Sequence, residues 1–135
     1  MAIDHSGITV PMSSHAAVVA WYEAALEPIG YKKVFAFGPN GEAVGFSDTM
    51  AKNPDTGYPD WWVTGRPDGE PSKGHHAFVS KDRAGVDAFH KAALAAGGKD
   101  NGAPGVRAHY HANYYGAFVF DPAGNNIEVV CRTAP

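Results

Sequence analysis

Two stretches of this chain repeat one layout. Trp21-Tyr22-Glu23-Ala24-Ala25-Leu26 and Phe89-His90-Lys91-Ala92-Ala93-Leu94 share an aromatic start, a charged third position and Ala-Ala-Leu. Upstream of each lies a short β-like run opened by histidine, His5-Ser6-Gly7-Ile8-Thr9-Val10 and His75-His76-Ala77-Phe78-Val79-Ser80; downstream come the glycine stops Gly30 and Gly97-Gly98. From His5 to Leu26 is 21 positions and from His75 to Leu94 is 19, so the two copies differ by about a two-residue loop.

Periodicity fills in each copy. Val18, Trp21, Ala25 and Leu26 recur at three and four, as one helix face does, with Ser13 or Ser14 as the expected cap and Gly30 as the stop. The second helix is expected to start at Asp82, to bury Val86, Phe89, Ala93 and Leu94, and to end at Gly97. After each helix the pattern turns strand-like. Strands are predicted at 31–37, 42–47 and 61–64 in the first copy and near 105–108, at 115–120 and at 127–132 in the second, with a hairpin turn at Asp121-Pro122-Ala123-Gly124-Asn125. The prediction is an α+β fold: two tandem βαβββ units forming a cupped mixed β-sheet with helices on its convex side. Unit one spans about 1–65, a Pro-rich charged linker 66–74, and unit two 75–135, all within one domain.

Composition narrows the class of function. An apolar fraction of 44% fills one core, and seven Phe, six Tyr and three Trp with only 19% charged residues exclude a disordered tail. A formal charge of −3 offers no basic face to nucleic acid or acidic lipid, so a small-molecule partner is expected. One cysteine, Cys131, makes no internal disulfide and reads as a buried, inert thiol. There is no signal-like start and no membrane-length apolar run, which predicts a cytoplasmic protein without membrane contact.

Side-chain alternation then sorts the strands. Ser6, Ile8 and Val10 form the helix-packing face of the first strand, which turns His5 to the opposite face with Gly7 and Thr9. Ile127, Val129 and Cys131 are the apolar side of the last strand and leave Glu128, Val130 and Arg132 on the other. Phe78 as the packing member puts His75 on the side of His5 and Glu128, with His76 as the competitor for its role. Two imidazoles and a carboxylate on one sheet face suffice to hold a divalent metal and leave positions for a substrate with adjacent oxygens.

At His5, the paired units, and the run Asp121-Pro122-Ala123-Gly124-Asn125-Asn126-Ile127-Glu128, the sequence resembles the vicinal oxygen chelate superfamily of glyoxalase I, fosfomycin-resistance thiol transferases, extradiol dioxygenases and bleomycin-resistance proteins. The resemblance implies a metal in the cup, iron, manganese, nickel, zinc or cobalt, with ligands carried over to His5, His75 and Glu128. It also allows a homodimer. A further glyoxalase carboxylate would fall in the strand Asp60-Trp61-Trp62-Val63-Thr64, which has none inside it. Gly102-Ala103-Pro104-Gly105-Val106-Arg107 and His109-Tyr110-His111 with Tyr114-Tyr115 place the chain nearest a glyoxalase-like subgroup that names no substrate.

The same polar aromatic stretch supplies the expected substrate contacts Arg107, Tyr110 and Tyr115, with Tyr110 also a proton donor beside Glu128 as catalytic residues. Trp61 and Trp62 face opposite ways, and Trp62 is taken as a wall of the site. The expected function is a metal-dependent enzyme whose ion chelates a small oxygen-rich substrate. Its rival is a metal-free, drug-sequestering binder whose cup is lined by Trp62, Tyr114 and Tyr115.

Overall fold

The computed structural model describes residues 4–48, 59–67 and 70–135. Most of the polar stretch expected from Asp48 to Pro59, residues 49–58, and part of the linker, 68–69, lie outside the described residues. The first unit runs β1 (Ser6–Pro11), α1 (Met12–Leu26), β2 (Tyr31–Phe37), β3 (Ala43–Asp48) and β4 (Trp61–Arg66). The second runs β5 (His75–Val79), α2 (Arg83–Ala95), β6 (Lys99–Val106), β7 (Tyr115–Phe120) and β8 (Asn126–Cys131). Each unit forms a four-stranded mixed sheet, ordered β1-β4-β3-β2 and β5-β8-β7-β6, and in each the first strand runs parallel to the last while the rest pair antiparallel. The repeat seen in the sequence is therefore a repeat of topology.

Most local expectations hold, with instructive differences. Asp82 caps α2 by accepting from the Gly85 amide at 2.8 Å. The start of α1 differs: its N-cap is Pro11 without a side-chain cap, and the Ser14 hydroxyl donates back to the Pro11 carbonyl at 3.1 Å. A 3₁₀ turn, Glu27–Ile29, follows α1, and Gly30 at φ +91° ends that turn rather than the α-helix. The strand expected near 105–108 is instead the eight-residue β6, whose glycine-rich pairing with β7 shifts register twice.

One core joins the two units. The predicted stripes of both helices bury Val18, Trp21, Ala25, Leu26, Val86, Phe89 and Ala93 against the inner sheet residues Ile8, Val10, Trp61, Val63, Phe78, Ile127, Val129 and Cys131. The Trp21 indole N–H donates across the helix pair to the Ala93 carbonyl at 3.0 Å. Gly98 is required beneath it, because a Cβ there would meet the Ala93 oxygen at 2.8 Å and the Trp21 Nε1 at 2.9 Å. His15, adjacent to the two serines, is a core residue hydrogen-bonded to the Val63 carbonyl at 3.2 Å.

The Asp121 turn does more than reverse the chain. Its buried carboxylate accepts from the Tyr22 hydroxyl of α1 at 2.6 Å, from the amides of Ala123 and Asn125, and from the Asn125 side-chain N–H. Asn125, fully buried, in turn accepts from the Gly74 amide at 3.0 Å, one residue before β5. Removing the carboxylate strands several buried donors, so Asp121→Ala is expected to lower unfolding stability by about 3 kcal/mol in urea titrations.

Two tyrosines set an alkaline limit. Burial first, then the Asp121 charge and hydrogen bond, raise the Tyr22 phenol well above its ordinary range; burial and then Asp60 and Asp48 raise Tyr31 likewise. The unfolded chain begins to lose these protons near pH 10 while the fold retains them, so their stabilisation is complete below about pH 10 and is lost as pH rises further. Urea midpoints should fall steeply above that pH, and Tyr22→Phe should flatten the slope.

Candidate functional site

The helix-free faces of the two sheets carry matched rows. In the second sheet the register aligns Ala77, Glu128, Phe118 and Gly102 across four strands. In the first sheet it aligns Gly7, Trp62, Gly45 and Phe35. His75 and His5 each stand two residues before the first member of their row. Trp62 therefore occupies the place in unit one that Glu128 occupies in unit two, which is why the first unit supplies no carboxylate.

On the second sheet this face builds a site. Glu128 is 2% exposed, so its carboxylate needs partners. Tyr114 donates a hydrogen bond to its Oε1. The other oxygen, Oε2, lies 3.1 Å from the His75 Nε2. His75 Nδ1 lies 3.2 Å from the Asn126 carbonyl, which can only accept, so that contact places a proton on Nδ1. Nε2 then meets the carboxylate either as the second N–H of an imidazolium or as a lone pair, and a lone pair facing Oε2 is favourable only with a cation between them.

Aromatic rings frame the pair. His75 stacks on Phe118 with ring centroids 6.3 Å apart, and the Arg107 guanidinium lies 5.7 Å from the same ring. Arg132 lies over Tyr114 at 5.4 Å, and Tyr110 meets Tyr114 edge-on at 5.2 Å. Burial, and then the Glu128 hydrogen bond, push the Tyr114 phenol up to about 12, which keeps its proton on the bond to Glu128. Behind His75, on the core side of β5, His76 packs edge-on against Trp61 at 4.7 Å, and its pKa is lowered by burial and then by His75. Between the two candidates, it is His75 that faces Glu128.

The remaining expected residues are dispersed. His5 is exposed and paired with Asp4 at 2.7 Å. It lines both a small recess of about 300 Å³ beside Trp62 and a cavity of about 840 Å³ between the units, which reaches His75 but not Glu128. Among the described residues no three His, Cys, Asp or Glu side chains converge as a metal-holding group. Tyr115 lies on the helix side of its strand, its hydroxyl on Asp87 at 2.7 Å and Arg83 over its ring, and so is separated from the Glu128 group. Trp62 lies on the first sheet against Phe37, at 5.9 Å. Tyr110 is 63% exposed and touches Tyr114 rather than Glu128. Tyr114, which the sequence reading named only for the cup of the rival binder, and Phe118 and Arg132, which it assigned no role, complete the site. Alternation along β7 would have found the first two, since Ala117 and Val119 mark the core face that Tyr115 shares.

Comparison with known proteins follows the same geometry. The Glyoxalase/Bleomycin resistance protein/Dioxygenase superfamily matches over residues 2–129. The chain belongs to this superfamily. No curated protein matches it in sequence. Among solved structures, a glyoxalase/bleomycin resistance protein from Albidiferax ferrireducens superposes with a TM-score of 0.70 at 22% identity, covering 95% of this chain and 98% of that one. A glyoxalase/bleomycin resistance protein/dioxygenase family enzyme from Burkholderia phytofirmans gives 0.66 at 19% identity, covering 98% and 100%. A lactoylglutathione lyase from Agrobacterium tumefaciens gives 0.62 at 21%, covering 96% and 92%. These likenesses establish the fold of this glyoxalase-superfamily chain. No helix among the described residues is long and apolar enough to cross a membrane.

The roles of the two tyrosines separate experimentally. Tyr114→Phe strips a donor from a buried carboxylate and should lower thermal stability by about 1–3 kcal/mol at neutral pH. Tyr110→Phe, which removes an exposed hydroxyl, should stay within about 0.5 kcal/mol in the same melts.

Proposed function

We propose that this protein is a glyoxalase-type metalloenzyme whose site is the open face of the second sheet. The observation that carries the reading is the contact of His75 Nε2 with Glu128 Oε2 at 3.1 Å, where, with Nε2 unprotonated, two electron-pair donors would converge on a common cation. Two ligands held about 2.1 Å from a common divalent ion at a right angle stand about 3 Å apart, so the pair fits half of a coordination sphere. Each donor is also already oriented from behind, His75 by the Asn126 carbonyl and Glu128 by Tyr114, as metal ligands ordinarily are.

His75 and Glu128 would hold the ion, and His5, from this chain or a second copy, is the third donor we assign. Bound there, a divalent ion would act as a Lewis acid on a substrate offering adjacent oxygens. The chain's own contribution is otherwise electrostatic and geometric. Tyr114 donates its phenolic hydrogen to Glu128 Oε1 and so leaves Oε2 as the donor atom. Phe118 supplies an apolar floor, and Tyr110 and Tyr114 a wall of rings against which a small molecule is oriented.

A second reading, a metal-free binder of aromatic compounds, draws on two features. The described residues of one chain do not assemble three ligands, and Phe35, Phe37 and Trp62 present stacked, partly exposed rings on the first sheet.

Equilibrium dialysis of tag-free protein against manganese, cobalt, nickel, zinc and ferrous iron distinguishes the two. About one ion per chain, abolished by Glu128→Ala and by His75→Ala and retained by His76→Ala, is the expected result. Failure to bind any of them favours the binder. A mixture of His5→Ala and Glu128→Ala chains that regains metal would place the third ligand on a second copy; a mixture that stays empty places it on the same chain.

A further inference from the structure

The Arg107 guanidinium is built into its position. The Arg107 amide donates to the Tyr114 carbonyl at 2.7 Å, and its own carbonyl accepts from the Tyr110 amide at 2.9 Å, so the loop 107–114 is closed at its base. The side chain then donates from Nη2 to the Ala103 carbonyl at 2.8 Å and lies over Phe118. Gly105 leaves room for it: a Cβ there would stand 2.8 Å from Nη1. A guanidinium has five N–H donors, and here the described residues provide one acceptor and no carboxylate partner. Glu128, the carboxylate of this face, is already engaged by Tyr114 and His75.

We propose that this cradle is a carboxylate-binding subsite, and that the substrate of this protein is a small carboxylic acid. Its anionic group docks on Arg107, and its body crosses the Phe118 ring toward His75 and Glu128. The inference rests on reading this face as the ligand site but does not need the metal. A planar fork of N–H donors matches a carboxylate in two parallel hydrogen bonds, and the ring beneath excludes water from one side of that contact. Arg132, over Tyr114, adds a second positive charge to the same face and reinforces the preference for an anion. Gly105, in a segment that has neither a following helix nor a lysine for a phosphate, thus acquires a purpose: it makes space for a charged side chain.

The test uses metal-stripped protein and two probes of the same shape, benzoate and benzamide, followed by amide chemical-shift titration. Benzoate should bind roughly tenfold or more tightly than benzamide, with shifts centred on residues 102–107 and 118. Arg107→Gln should erase the preference. Gly105→Ala keeps the charge but displaces the guanidinium, and the atom its Cβ meets is the end of a flexible side chain, so the spectrum should remain that of the native fold while benzoate affinity falls several-fold. Equal binding of the two probes, no binding of either at millimolar concentration, or a preference that survives Arg107→Gln would overturn the subsite. Manganese uptake by Arg107→Gln, measured alongside, separates the two claims. Benzoate preference without metal leaves the subsite standing alone, and metal without benzoate preference removes it while the metal reading stands.

Discussion

The buried carboxylate of Asp121 is the interaction on which the arrangement depends. It lies at the turn between β7 and β8 yet holds the hydroxyl of Tyr22 from the other unit, and it orients Asn125 so that this side chain receives the Gly74 amide. The Asn126 backbone amide then donates to the Gly74 carbonyl at 2.9 Å. The residue immediately before His75 is thereby fixed to the strand that bears Glu128. Tight spacing of the two site residues follows from a network that contains neither of them, and an error of one residue in that register would turn His75 to the wrong face.

Much of the fold was legible because the chain states it twice. The His-run-helix-glycine layout, the apolar stripes and the alternation in β1, β5 and β8 all rest on local periodicity, and they located both helices and the sheet face that His75 shares with Glu128. What escaped was non-local. The cap of α1 is proline because the strand runs straight into the helix without a turn, so no serine is needed there. Strand β6 is spelled Lys-Asp-Asn-Gly-Ala-Pro-Gly-Val, a poor β sequence held in place by pairing with β7 rather than by propensity. In the site, a cluster of aromatic and basic letters hid two faces. Tyr114 and Tyr115 are neighbours in sequence, but one holds Glu128 and the other packs on α2.

The repeat also explains the asymmetry of the site. Duplicated units give duplicated rows, and the chemistry depends on what each row carries at its second position. Glu128 is a carboxylate flanked by a phenol and an imidazole, whereas Trp62 lies beside Gly45 and Gly7, where a Cβ at Gly7 would collide with the Trp62 backbone oxygen at 2.6 Å. One row is thus polar and organised around a buried charge, the other flat and aromatic. The two units share one topology, and it is the row of the second that carries the polar group to which the proposed function is assigned.

Charge is divided with the same sharpness. The large cavity between the units is walled by five carboxylates and one lysine, while the open face of the second sheet sets two guanidiniums around a carboxylate that is already paired. At a net charge of −3 the molecule as a whole gives an approaching anion no long-range attraction. Capture of an anionic ligand therefore has to come from short-range, water-excluding contacts, and those are the contacts that a guanidinium held over a ring provides. The same reasoning bears on His75: in the proposed site, a cation held between Nε2 and Oε2 would add to the field that an anionic ligand meets. The two halves of the proposed site would in that sense be cooperative, since positive charge on the histidine–glutamate pair would strengthen anion binding at the arginine, and by linkage an anion bound there would strengthen the pair's hold on its cation.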